Sequence, residues 1–167
     1  MVGRASRGRD EKTVSPRLDA RTLKRLISIF TKSEPWIVLF VLWLTTLCIA
    51  SSFNTKLPDQ TPKIPHFDKI SHFGYFFGGG IILTTWLLLK YGLKTTRVTR
   101  YLLPIIFFGM MGAIDEYHQT FTPGRSGNDP FDWLADIMGG SLGVLIANHF
   151  HPLLLKFSSP SAPQPEN

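Results

Sequence analysis

Three short polar segments lie at the edges of long apolar runs, and each combines residue types that can bind ions or move protons. The first is Asp68-Lys69-Ile70-Ser71-His72-Phe73-Gly74-Tyr75. On a helix, its Asp68, His72 and Tyr75 fall on one side. The second is Asp115-Glu116-Tyr117-His118-Gln119, where the same spacing is expected to turn Asp115 with His118 and Gln119. The third holds Arg125, then Asp129, Asp132 and Asp136. On a helix that begins by Asp129, these acids form one stripe that continues through Gly140, Gly143 and Ala147. Such a grouping can hold a divalent ion, for which Asp115, His118, Asp132 and Asp136 are the candidate ligands. It can also support acid–base chemistry where neighbouring carboxylates raise one pKa, with Glu116, His72 and Asp132 as catalytic candidates. Lys69 and Arg125 add positive charge suited to phosphate, the guanidinium in a forked geometry.

Taken singly, each feature has a plainer explanation. Asp68 can cap one helix, and Asp129 or Asp132 another. His72 can be an internally satisfied histidine, and Arg125 can solvate a Pro-Gly-Arg-Ser-Gly turn. Gly139 and Gly143 are spaced as in GxxxG, which more often means helix packing. His149 and His151 are expected only to mark the far interface, and His66 sits in a loop with no partner to name. The combination favours a shared pocket. Ionisable groups at membrane depth are costly and normally face partners or a water-filled cavity.

The elements that must position these residues are long apolar runs. Of the 167 residues, 44% are hydrophobic, and they gather in four runs with the 18 Lys and Arg mostly outside them. That distribution predicts an all-α polytopic membrane protein, a bundle of about four transmembrane helices. The first span is expected at 36–53 and the second at 68–89, with a linker between them kept extended by Pro58, Pro62 and Pro65. The third apolar run, 101–114, is only 14 residues, about 21 Å of helix against a hydrocarbon core of about 30 Å. The helix is therefore expected to continue through Asp115–Gln119. The fourth span is expected at 131–150. A short amphipathic helix at Leu18–Phe30 would carry Leu23, Leu26, Ile27 and Phe30 on one side, near Arg21, Lys24 and Arg25. The domain division is a basic tail 1–34, a membrane domain 35–151 and a polar Pro-rich tail 152–167.

Charge sets the expected orientation. The N-terminal tail holds nine Lys and Arg, and the loop after the second span holds Lys90, Lys94, Arg97 and Arg100. The positive-inside rule then puts both termini in the cytoplasm and the three polar segments at the outer face of the inner membrane. The net charge of +6 follows the tail and that loop, a distribution that speaks against nucleic-acid binding. The single Cys48 allows no intrachain disulfide. A cleavable signal peptide is not expected behind so long a polar tail.

The blocks DKISHFGYF (68–76), DEYHQTFTPGRSGNDPFDWLAD (115–136) and GGSLG (139–143) are similar, in order and spacing, to the motifs of the VanZ-like membrane protein family. The resemblance covers about residues 36–150 and leaves the basic tail outside. It implies a small helical membrane domain found mainly in bacteria, whose namesake is associated with low-level teicoplanin resistance. The name carries no resistance function to this chain. The motif match implies Asp68, Lys69, His72, Glu116, Gln119, Arg125 and Asp132 as ligand-binding positions. The family often has Asn where this chain has Asp136. The leading expectation is an outward pocket for an anionic membrane lipid or lipid-linked envelope precursor, with no bond broken. The alternatives are a metal-assisted hydrolase or transferase acting on a lipid phosphate, and a non-catalytic structural subunit. HExxH, GxSxG and paired CxxC motifs are absent from the sequence. A transport role would call for a homo-oligomer.

Overall fold

The computed structural model describes residues 19–53, 66–92 and 95–158. The outer parts of both tails, the proline-bearing linker 54–65 and the position of Lys94 lie outside the described residues. Five α-helices account for most of what is described: α1 (Ala20–Phe30), α2 (Ser33–Ser52), α3 (Phe67–Tyr91), α4 (Leu103–Gln119) and α5 (Pro130–Ser158). A π-helical turn, Val98–Leu102, leads into α4. No strand occurs among the described residues.

Three segments are long and apolar enough to cross a membrane: Ser33–Ser52, Phe67–Tyr91 and Val98–Gln119. About four spans are expected from the sequence, and three are found among the described residues. The third span includes the polar extension Asp115–Gln119, as its short apolar run requires. The fourth expected span is α5, which is 29 residues long, but Asp132, Asp136, Asn148, His149 and His151 dilute its hydropathy. Those polar residues are mostly turned inward. Asp132, Asp136, Asn148 and His151 are buried, while Phe131, Leu134, Met138, Leu142 and Leu145 are exposed. Such a helix is inverted relative to the surface helix of a water-soluble protein, as a bundle in lipid demands.

Glycine sets how closely α3 and α5 approach. A Cβ on Gly139 would collide with the Phe73 carbonyl, one on Gly143 with the Phe77 carbonyl, and one on Gly80 with the Gly140 carbonyl. The GxxxG spacing is therefore used for backbone-to-backbone packing. The apolar core centres on Trp43 of α2. Its ring stacks on Phe40 and Tyr75 at 5.6 and 5.3 Å and meets Phe76 and Phe108 edge-on, both at 5.6 Å. The Trp43 indole N–H donates to the Tyr75 carbonyl at 3.0 Å, and the Tyr75 hydroxyl donates to the Trp43 carbonyl at 2.6 Å. This reciprocal pair fixes α2 against α3.

At the other end of the bundle, Pro104 has no N–H to offer the carbonyl of Arg100, four residues earlier. The Asn148 side chain supplies the donor instead, at 3.1 Å, and accepts from Arg100 Nε at 3.1 Å. The π-helical turn is thereby pinned to α5. His151, expected only to mark the interface, is fully buried, whereas His149 is exposed. The amphipathic α1 forms close to its expected bounds. The Thr22 N–H donates to Asp19 Oδ1 at 2.6 Å, and Trp36 Nε1 donates to the Phe30 carbonyl at 2.9 Å, joining α1 to α2. Leu26 and Phe30 are exposed, while the side chains of Leu23, Lys24 and Ile27 lie outside the description.

Candidate functional site

The up-and-down order of α2 to α5 brings the ends of α2 and α4 beside the starts of α3 and α5. The three polar segments therefore meet. Asp136 lies within 3.0 Å of His72, joining α5 to α3. Lys69, one turn nearer the start of α3, bonds Asp129 at 2.9 Å and Asp132 at 3.0 Å. From α4, Asp115 accepts from the Ser51 hydroxyl of α2 and from Gln119 Nε2 at 2.7 Å. Glu116 Oε2 accepts the Asp129 backbone N–H at 2.7 Å. His72, Asp115, Glu116, Gln119, Asp132 and Asp136 are all buried.

The loop between α4 and α5 closes this end through its backbone. Gly127 lies so close to the Thr120 nitrogen and the Glu116 carbonyl that a Cβ would not fit. Gly124 and Asn128 take left-handed φ values of 79° and 69°. Thr122 Oγ1 donates to the Ser51 carbonyl at 2.8 Å, and Arg125 Nη1 reaches the Ala50 carbonyl at 3.4 Å. Both carbonyls belong to the last turn of α2, where intrahelical donors run out, and that of Ala50 also accepts the N–H of the C-cap residue Phe53 at 3.4 Å. Asp129 caps α5, accepting the Phe131 N–H at 2.8 Å. The Lys69 hydrogen bond, then the Phe131 N–H, holds its carboxyl below the ordinary value of 3.8. Asp132 is not a cap, because its Oδ1 takes Lys69 instead. Asp68 lies in the first turn of α3, largely exposed and 3.9 Å from His72 Nε2; the helix begins without a side-chain cap.

A cavity of about 640 Å³ opens beside the cluster, between α2 and α3. Leu47, Ile49, Phe53, Phe67 and Phe76 give it apolar walls, and Asp68, Ser71, His72, Asp115, Gln119 and Arg125 give it polar groups. Among the described residues, Arg125 makes no side-chain hydrogen bond other than that to Ala50.

Two sequence expectations change here. His118 is exposed and takes no part in the cluster, because the site lies on the side of α4 shared by Asp115, Glu116 and Gln119. Lys69 is fully engaged by two carboxylates and does not line the cavity, so the phosphate-suited cation there is Arg125. Conversely, Ser51 and Thr122 belong to the site; nothing around Ser51 points to it, whereas Thr122 lies within the 115–136 block.

A polytopic helical protein with a buried acid–histidine cluster beside an apolar cavity is the class these features define. The VanZ/LLP1 family profile matches residues 25–154, and the chain belongs to that family. No curated protein and no solved structure matches it.

Proposed function

We propose that this VanZ-like membrane protein of the cell envelope holds the phosphate head of an anionic lipid, or of a lipid-linked envelope precursor, in the cavity between α2 and α3. The observation that carries this reading is the pairing of an apolar-walled cavity of about 640 Å³ with a guanidinium, Arg125, on its lining. An acyl or prenyl chain would lie along Leu47, Phe53 and Phe67, and the head group would accept from Arg125 with Ser71 and His72 beside it. Asp68, Gln119 and Asp132 would shape and hydrate the site, while Lys69 would hold its wall by engaging Asp129 and Asp132. An outward-facing site in the inner membrane, with cytoplasmic termini, is supported by the nine Lys and Arg of residues 1–34.

The test is binding of phosphatidylglycerol and of a polyprenyl phosphate to the protein in nanodiscs of neutral lipid. Arg125→Ala is expected to weaken binding about ten-fold or more, and Arg125→Lys less, because only the guanidinium offers a fork. Equal affinity for the folded wild-type protein and Arg125→Ala would remove the basis of the reading.

A further inference from the structure

Glu116 and Asp136 are 3% and 0% exposed, and one oxygen of each, Oε1 and Oδ2, has no hydrogen-bond partner among the described residues. Carboxylate oxygens taken out of water normally find a donor or a metal, because an unpaired buried charge is costly. Lys69 does not supply that compensation. Its ammonium is committed to Asp129 and Asp132. His72 faces one oxygen of Asp136, and the Ser51 hydroxyl and Gln119 amide occupy both oxygens of Asp115.

Donor atoms from His72, Asp115, Glu116 and Asp136 all lie within 4.8 Å of one another. A divalent ion with ligands at about 2.0–2.5 Å separates adjacent donors by about 3 Å and opposite donors by about 4–5 Å. His72 Nδ1 and Asp136 Oδ1 are hydrogen-bonded at 3.0 Å, a separation that also matches adjacent ligands on one ion, and Asp136 Oδ2 is left without a partner among the described residues. We propose that His72, Asp115, Glu116 and Asp136 form a site for a divalent first-row transition ion. One imidazole with three carboxylates suits Mn²⁺, Fe²⁺ or Zn²⁺, and the lack of any thiolate argues against Cu⁺. His72 and Asp115 also line the cavity, so the ion sits at its floor. The site does not depend on the lipid reading, since Glu116 and Asp136 supply its unpartnered oxygens and neither lines the cavity.

The test uses the full chain, purified in detergent, stripped with chelator and then titrated with Mn²⁺ or Zn²⁺ without added lipid. About one ion is expected per chain. Glu116→Gln and Asp136→Asn should each lower affinity at least about ten-fold, whereas His118→Ala should leave it unchanged. Should the buried variants fail to fold, pulsed electron paramagnetic resonance of the Mn²⁺-loaded wild-type protein replaces them, with coupling to one imidazole nitrogen expected. Absence of stoichiometric binding, absence of that nitrogen coupling, or loss of binding in His118→Ala would overturn the proposal. Loss of lipid binding in Arg125→Ala with the ion retained would leave this site intact.

Discussion

Lys69 shows how a residue's type can mislead about its role. An unpaired lysine among polar segments reads as a phosphate ligand, yet its ammonium lies 2.9 Å from Asp129 and 3.0 Å from Asp132. The pairing has a pH signature. Asp129 sits below its ordinary value of 3.8 because of Lys69, so the pair contributes fully above that value. Its contribution is lost as pH falls through the lowered folded value, while Lys69 stays charged. Asp129→Asn keeps a capping side chain but removes the charge. The melting temperature of the wild-type protein in detergent is expected to exceed that of Asp129→Asn near neutral pH. The gap should begin to narrow below about pH 4 and close only below the lowered folded value. A gap that stays constant down to pH 3 would mean that the ion pair contributes nothing. His118 carries the matching lesson. Successive helix residues turn by about 100°, so Gln119 lies between the directions of Asp115 and Glu116, and His118 lies well outside them. Spacing alone allows both neighbours of Asp115, and only the direction from which α3 and α5 arrive chooses between them.

At the scale of elements, the helices were legible because apolar runs of span length admit no other structure in lipid. The short third run is the instructive case. Its polar extension to Gln119 follows from the thickness a helix must cross, and α4 ends there. The Gly139 and Gly143 packing was legible for the same kind of reason. What sequence could not supply was the partner on each face: Ser51 meets Asp115 across 64 residues, and neither neighbourhood announces the other. The contact between α3 and α5 makes a sharp prediction. Gly143→Leu would drive a side chain into the Phe77 carbonyl and Gly80, and should destabilise the bundle by about 2 kcal/mol or more. Gly74→Leu, on the same helix pair but with nothing within 4 Å, should stay within about 0.5 kcal/mol of the wild-type protein. Thermal unfolding in detergent reads both, and equal losses would mean that α3 and α5 do not pack through these glycines.

For the whole molecule, the alternation of helix directions places Arg125 at one end of the bundle and Arg97 at the other. In a Cys48→Ser background, single cysteines at positions 97 and 125 should react with an impermeant maleimide from opposite sides of the membrane. Position 125 is expected to label from outside, and labelling of both from one side would dismantle the shared site. The position of the cavity adds a consequence of its own. It opens between α2 and α3, where Ile49, Ala50, Phe53, Phe67 and Ser71 are exposed, while α5 stays clamped to α3. A guest with a hydrocarbon tail would then enter sideways, by two-dimensional diffusion within one leaflet. Occupancy would follow the guest's mole fraction among its neighbouring amphiphiles rather than its molarity in buffer. Adding empty micelles would therefore drain the seam, and adding buffer would leave it filled.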